Sequence, residues 1–468
     1  MVRLSSMGTT ARPRKFSADV IVIGSGAGGS IAAQTLAHAG KRVIVVEESA
    51  VGGDCANYSC VPTKALIDTA TTVKVLEHAS QFGIHTGKVT VEYDAVRHWA
   101  LKAVAATGVT ATADNVFSSP HIQVVKGRAH FIDAFTISVA LTRYTAPHFV
   151  IASGASPRVP SIDGLLDYPY VTYRSFLAQK NLPKSVAIIG GGATGYEYSQ
   201  IYAALGVTTH VFESHYHLFA DFDSELGDLA ESALANAGVR VHTSAKVTSV
   251  HAAKKATLVT YVHNSQKHSV SVDSIFVATG NVPNVDLGLD NARVTYSDEG
   301  IRVNARMQTS QKNIFATGDV TAHNTSASGA IRQGQIAAHN ILHRKKKHFD
   351  SKSVPYIAYG LPEVVNIGKT ERAMRLTGIP YQTAIAPLGL VGRSFSSVFD
   401  SGFVKIVATH TGHIIGASIV APHASEFAGE LTFAVQYQRR ACDIANTVHP
   451  FSSWSEAVRV AASKIYCI

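Results

Sequence analysis

Two thiols, Cys55 and Cys60, stand five positions apart in Gly52-Gly53-Asp54-Cys55-Ala56-Asn57-Tyr58-Ser59-Cys60-Val61-Pro62-Thr63-Lys64. A pair this close is a candidate for a disulfide that opens and closes during electron transfer. Five residues of regular helix rise roughly 7.5 Å at about 1.5 Å per residue, whereas disulfide Cα atoms rarely lie more than about 7 Å apart. If the two sulfurs pair, the segment must therefore depart from regular helix. Pro62 suits the first turn of a helix beginning here, and the positive end of that helix would favour a thiolate. The other two cysteines, Cys442 and Cys467, stand alone in the sequence and are read as inert. Four cysteines are too few for a secreted disulfide scaffold.

The elements that must position the pair come just before it. The apolar run Asp19 to Ile23 reads as a buried parallel strand. Gly24, Gly26 and Gly29 follow at once, then a helix-compatible stretch from Ser30 to Ala39, a stop at Gly40, and a second strand ending at Glu47. The same grammar returns at Ser185 to Ile189, with Gly190, Gly192 and Gly195, a helix to about Leu205, and a strand ending at Glu213. In both copies the acid lies 23 residues past the first glycine (24 to 47, 190 to 213). A lone glycine pattern is weak evidence, but a strand before it, a helix after it and an acid at this spacing make a dinucleotide fingerprint. The first glycine permits the tight turn, the second lets backbone approach pyrophosphate at a helix N-terminus, and the third lets helix and strand pack closely. Glu47 and Glu213 can each accept from a ribose 2′-hydroxyl. Two fingerprints imply two nucleotides. Glu213 is followed by Ser214, His215, Tyr216 and His217, with no Arg to meet a 2′-phosphate, so the second site favours NADH over NADPH.

The chain has 468 residues, 46% hydrophobic and 16% charged, which suits about three globular domains. No uninterrupted apolar run is long enough to span a membrane. The net charge of +9 is moderate and partly concentrated in Arg344-Lys345-Lys346-Lys347 and in a tail carrying Arg3, Arg12, Arg14 and Lys15. These runs read as solvated linker and tail rather than as a nucleic-acid surface. The first 18 residues lack the apolar centre of a secretory signal, and the expected location is cytoplasmic.

With these motifs assembled, the chain resembles the class I pyridine nucleotide–disulfide oxidoreductases, which include dihydrolipoamide dehydrogenase, glutathione reductase and mercuric reductase. The likeness runs from about Asp19 to Ala462. It rests on the two fingerprints, the Cys55/Cys60 pair, Ala152 to Pro157 around Gly154, Ala278 to Asn284 around Gly280, and Phe315 to Val320 around Gly318 and Asp319. A C-terminal set follows: Pro362-Glu363, Gly402 to Lys405, and His449-Pro450. The resemblance implies an α/β fold with two Rossmann-like dinucleotide-binding domains and a C-terminal α+β dimerisation domain. It places FAD on residues 19–152 and 280–346, NAD on 153–279, and a homodimer interface on 347–468, after a flexible tail at 1–18. It also implies that Asp319 meets the flavin ribityl chain and that Lys64 and Glu197 pair beside the flavin. Cys60 would face the flavin, Cys55 would exchange with a disulfide, dithiol or lipoyl substrate, and His449 of the other subunit would supply the proton.

Three positions depart from that pattern. Ser59 stands where a Gly is usual, and Asp54 replaces a common Thr, putting a negative charge beside Cys55 that would disfavour its thiolate. The orienting acid expected five residues after His449 is Trp454. The nearest downstream acid is Glu456, which leaves the partner open between Glu456 and a backbone carbonyl. The alternative reading is a mercuric-ion or quinone reductase on the same scaffold.

Overall fold

The computed structural model describes residues 15–108, 117–253, 256–322, 326–398 and 401–468. Residues 1–14 of the expected tail, with Arg3, Arg12 and Arg14, lie outside the described residues. The chain is already engaged at Ser17 and Ala18, whose amides donate to the Thr145 carbonyl.

The first apolar runs form the parallel strands β1 (Val20–Ile23) and β2 (Val43–Glu47), joined through helix α1 (Ala27–His38). Every residue of both strands is buried, as expected where helices cover both faces of a parallel sheet. The sheet runs Ile314–Ala316, His148–Ile151, β1, β2, Ile122–Lys126, all parallel, and β1 pairs Val20 with Val43 on one side and with His148 on the other. The second unit repeats this plan. Its sheet runs Arg240–His242, Thr208–Phe212, Ser185–Ile189, Ser274–Val277, Tyr170–Val171, again parallel. Both sheets place a glycine turn and a helix N-terminus at the strand ends where doubly wound folds bind ligands.

Between the two sheets the chain crosses twice, and the crossings pair as an antiparallel ribbon, Ala155–Pro157 with Asn281–Pro283. Gly154 and Gly280 each precede one of these strands with positive φ, +66° and +88°. The third unit is a five-stranded antiparallel sheet, ordered Tyr356–Ala358, Glu363–Gly368, Ile414–Ala421, Phe403–Thr409, Tyr381–Pro387. Helices Ala424–Gln436 and Glu456–Ala462 contribute Ala428, Leu431, Ala434, Ala457, Val458 and Ala461 to its core. The architecture is therefore mixed α/β, two Rossmann-like units and an α+β unit. Among the described residues no helix is long and apolar enough to cross a membrane.

Two charged features of the sequence acquire structural work. The run at 344–347 folds back on helix Ala327–Leu342, where Lys346 Nζ donates to the Asn340 carbonyl and to that of His343 (2.7 Å). A cation there satisfies carbonyls that the helix end leaves open. Lys405, only 1% exposed, meets Asp223 (3.0 Å), Glu225 (3.0 Å) and Glu371 (2.7 Å), tying the second unit to the third. Burial alone would lower the Lys405 pKa; the three carboxylates outweigh it and raise it.

Candidate functional site

Cys55 lies on a short helix, α2 (Gly53–Asn57), and Cys60 opens the long helix α3 (Cys60–Glu77). Between them Tyr58 and Ser59 leave helical geometry, with φ −133° and −117°. This break is the departure from regular helix that the spacing demands. It brings the two Cα atoms to 4.4 Å, and the sulfurs form a disulfide. Helix α3 starts at Cys60, two residues before Pro62, so Cys60 stands at the positive end of an 18-residue helix.

The pair lines a cavity of about 1280 Å³ that also takes in the first fingerprint. Gly24, Gly26 and Glu47 line it, with Gly154, Gly318, Asp319, Lys64 and Glu197. The glycines act as their spacing predicts. A Cβ on Gly29 would lie 2.1 Å from the Gly24 carbonyl oxygen, and one on Gly195 1.9 Å from that of Gly190, so both are needed for helix–strand contact. A Cβ on Gly26 would meet nothing within 4 Å, because its face is cavity. Glu47 accepts from the Ser25 amide (2.8 Å), the Ser25 hydroxyl (2.6 Å) and the Ser49 amide (2.7 Å). These bonds fix the carboxylate at the end of β2, where a ribose would lie. Thr317, also on the cavity wall, has a buried hydroxyl with no partner among the described residues. A cavity of this volume, amides at a helix N-terminus, an acid beyond them and a buried hydroxyl left open together fit FAD.

Helix Ala193–Ala204 brings Glu197 to the same cavity from the second fingerprint. Lys64 Nζ, one turn into α3, lies 3.2 Å from Glu197 Oε1 and 4.1 Å from the centre of the Tyr359 ring. The Tyr359 amide donates to the same carboxylate (2.9 Å). Burial pushes the Glu197 carboxyl above its usual range, against the pull of the Lys64 ammonium and the Tyr359 amide. At the second fingerprint, Glu213 accepts from the Gly191 amide (2.8 Å) and from the amide and ring of His215 (2.9 and 2.7 Å). Burial alone would raise its pKa; these bonds outweigh it and hold the carboxyl below its ordinary value. Gly190 and Gly192 do not line the large cavity. The first amide of their helix, Ala193 N, donates to the Tyr356 hydroxyl (3.0 Å).

The departures from the family pattern resolve differently. Asp54 is no bare charge beside Cys55. Its Oδ2 accepts from the Arg174 guanidinium (2.8 and 3.1 Å) and from the Tyr173 hydroxyl (2.8 Å), so its charge is compensated from outside the loop. Arg174 also donates to the Ala155 carbonyl (2.7 Å), tethering the disulfide loop to the crossing ribbon. Ser59 directs its hydroxyl towards Cys60 Sγ at 3.8 Å.

His449 stands apart from this cavity within one subunit. Its Nδ1 faces the Thr447 carbonyl (2.9 Å) and its Nε2 the Glu430 carboxylate (3.1 Å), and its side chain is 4% exposed. The acid at the ring is thus Glu430, on helix Ala424–Gln436, and not Glu456. Glu456 instead accepts from the Ser452 amide (3.0 Å) and holds the turn that follows His449-Pro450. Val448 and Phe451 on either side are 95% and 85% exposed, an apolar surface fit to be covered. Glu430, Arg174, Tyr356 and Tyr359 were absent from the sequence reading, since each meets its partner only through tertiary packing. Cys442 and Cys467, isolated in sequence, are neighbours in the fold: the Cys442 amide donates to Cys467 Sγ at 3.0 Å.

Known proteins place the chain in its family. It matches the family model described as pyridine nucleotide-disulphide oxidoreductase over residues 18–334, and that family's dimerisation domain over residues 354–462. It is 30% identical over 455 residues to a dihydrolipoyl dehydrogenase of Geobacillus stearothermophilus, covering 95% of each chain. To a mercuric reductase of Staphylococcus aureus it is 29% identical over 447 residues, covering 95% of this chain and 82% of that protein. A solved structure, the Cu(II) complex of the HOCl-induced flavoprotein disulfide reductase RclA from Escherichia coli, shares the fold with a TM-score of 0.85. Its identity is 24%, over 97% of this chain and 100% of that one. The chain therefore belongs to the pyridine nucleotide-disulphide oxidoreductases, FAD- and NAD(P)H-linked enzymes, with Cys55–Cys60 as its redox-active disulfide.

Proposed function

We propose that this enzyme passes electrons between NADH and a small disulfide, dithiol or lipoyl substrate, and that it works as a homodimer. The observation that carries this reading is the single cavity shared by the first fingerprint, the Cys55–Cys60 disulfide and the Lys64–Glu197 pair. Residues 19–152 and 280–346 would hold FAD, 153–279 NADH, and 347–468 the subunit interface. FAD, when bound, relays an electron pair between the nicotinamide and the disulfide.

The chain's own residues do the rest. Gly24, Gly26 and Gly29 shape the turn and amides that receive pyrophosphate, Glu47 holds the ribose end, and Gly154, Gly318 and Asp319 line the cavity further along. Gly190, Gly192, Gly195 and Glu213 serve NADH, with Gly280 on the crossing between the two sites. Lys64, held by Glu197 and the Tyr359 ring, supplies positive charge beside the flavin. Cys60, at the N-terminus of α3, is the flavin-facing thiolate, and the helix end stabilises its charge. Cys55 exchanges with the substrate's sulfur through a mixed disulfide.

Departure of the substrate thiol needs a proton, and His449 of the partner subunit is the proposed donor. Within its own subunit both ring nitrogens are taken, so donation requires the Glu430 contact to open where the two subunits meet.

The test is a substrate panel of dihydrolipoamide, oxidised glutathione, mycothione and Hg²⁺ with both nicotinamides. Turnover of a disulfide or dithiol with NADH supports the proposal; turnover of Hg²⁺ alone overturns it. His449→Ala should slow disulfide turnover by roughly 10²–10⁴-fold, the range for a general acid–base group. Unchanged turnover would remove His449 from the reaction and leave it as the buried partner of Glu430.

A further inference from the structure

A second pair of thiols lies far from the cavity. Cys442 is the second residue of the short helix Ala441–Ala445, and Cys467 is the penultimate residue of the chain. Neither lines the large cavity, and both are part-exposed. Their contact is built from several directions. The Cys442 amide donates to Cys467 Sγ at 3.0 Å. The adjoining Cys467 sulfur first, and burial next, raise the Cys442 pKa. The terminal segment is clamped by Gln382, whose amide nitrogen donates to the Tyr466 carbonyl (2.9 Å) and whose oxygen accepts from the Tyr466 amide (2.9 Å). Arg440 holds the Ile468 carbonyl. Gly412 leaves the room: a Cβ there would lie 3.0 Å from Cys467 Sγ.

The geometry distinguishes the two sulfurs. Cys467 Sγ accepts from the Cys442 backbone amide at 3.0 Å, so a donor already faces the sulfur that would carry negative charge during attack. We propose that Cys442 and Cys467 are a second thiol–disulfide couple, with Cys467 as the attacking thiolate and Cys442 as the resolving thiol, oxidised by exchange with a small-molecule disulfide.

The exchange balances in two steps. Cys467 Sγ attacks one sulfur of the small disulfide; a mixed disulfide forms, the small S–S bond breaks, and one thiolate leaves and takes a proton. Cys442 then loses its proton to solvent and attacks Cys467 Sγ, forming the Cys442–Cys467 bond and expelling the second thiolate. Two protein thiols are oxidised and one small disulfide is reduced to two thiols. The product would fasten the C-terminal segment to helix Ala441–Ala445.

The test uses the full-length holoenzyme, incubated with oxidised glutathione, quenched with acid, alkylated and mapped by peptide mass. The expected wild-type result is a cross-linked Cys442–Cys467 peptide, with both residues unalkylated and no retained glutathione. Cys442→Ser should hold one glutathione on Cys467, whereas Cys467→Ser should leave Cys442 mostly alkylated. Both variants should keep wild-type disulfide turnover, since neither thiol lines the cavity. Stable glutathione adducts on the wild-type pair without a cross-link, or equal behaviour of the two serine variants, would overturn the proposal.

Discussion

At the first fingerprint the amide end of α1 opens onto a cavity of about 1280 Å³; at the second, Gly190 and Gly192 stand outside that cavity and a tyrosine of the third unit occupies the first amide of the equivalent helix. The strands, turns and acids of the two copies correspond position by position, so the backbone does not cause the difference. Their neighbours do. Around Gly26 the disulfide loop and the strand ends enclose a space that can bury a whole ligand. Around Gly192 a Cβ would come 3.7 Å from the Tyr356 hydroxyl, whereas one on Gly26 would meet nothing within 4 Å. The lesson is that a glycine fingerprint prepares a phosphate site, while the surroundings decide whether its nucleotide is held or exchanged. That division suits a resident FAD at the first site and a diffusible NAD(P)H at the second.

Filling each mouth breaks the comparison most severely. Gly26→Val places its side chain in open space, so the protein should fold yet be purified with little or no flavin, read from its absorbance. Gly192→Val should keep its flavin and instead raise the NADH KM by about 100-fold, by blocking pyrophosphate approach. Equal flavin loss in both variants would erase the distinction.

The bracing of the second unit comes next. Lys405→Met removes the cation shared by Asp223, Glu225 and Glu371, leaving buried Asp223 without a charged partner while Arg375 still meets Glu371 (2.6 Å), and breaking such a network costs about 3–5 kcal/mol. Denaturant unfolding should show this loss, and a stability within 1 kcal/mol of wild type, roughly the scatter of surface substitutions, would contradict it. A smaller effect is expected at the closed mouth itself. The Tyr356 hydroxyl keeps its own proton while it accepts from Ala193 N, the amide that would otherwise face the pyrophosphate. Burial pushes its pKa up to about 12, which keeps that proton in place at neutral pH. Tyr356→Phe frees that amide and should lower the NADH KM about tenfold, near 1.4 kcal/mol, with kcat unchanged; a raised KM would contradict this.

The smallest effect is one of pH. The folded protein holds Glu213 below its ordinary value of 4.5. Its contribution to stability is therefore present above that pH and is lost as pH falls through the lowered folded value. The stability gap between wild type and Glu213→Gln should be open at pH 7 and close under acid. A gap that widens in acid would reverse the sign.

Legibility in the sequence followed locality. The fingerprints could be read because strand, turn, helix and acid are consecutive, and the disulfide because its cysteines share one loop. The break at Tyr58 and Ser59 was implied by the spacing, although α3 begins at Cys60, before Pro62. Glu430 was invisible: it lies 19 residues before His449 on another helix, and only packing brings the two together. The same holds for Arg174 on Asp54, for Tyr356 on Ala193 and for Cys442 against Cys467. Glu456 was chosen by proximity in sequence to His449, yet the turn between them directs it to the Ser452 amide.

The central claim is that electrons entering at the second fingerprint reach Cys55–Cys60 across the first. The most direct test is to alkylate the holoenzyme under anaerobic conditions before and after adding NADH, and to map the labelled cysteines. Cys55 and Cys60 should be unlabelled before NADH and labelled after it, with a long-wavelength absorbance that Cys60→Ser abolishes. Reduction of the flavin by NADH while Cys55 and Cys60 stay unlabelled would contradict the account.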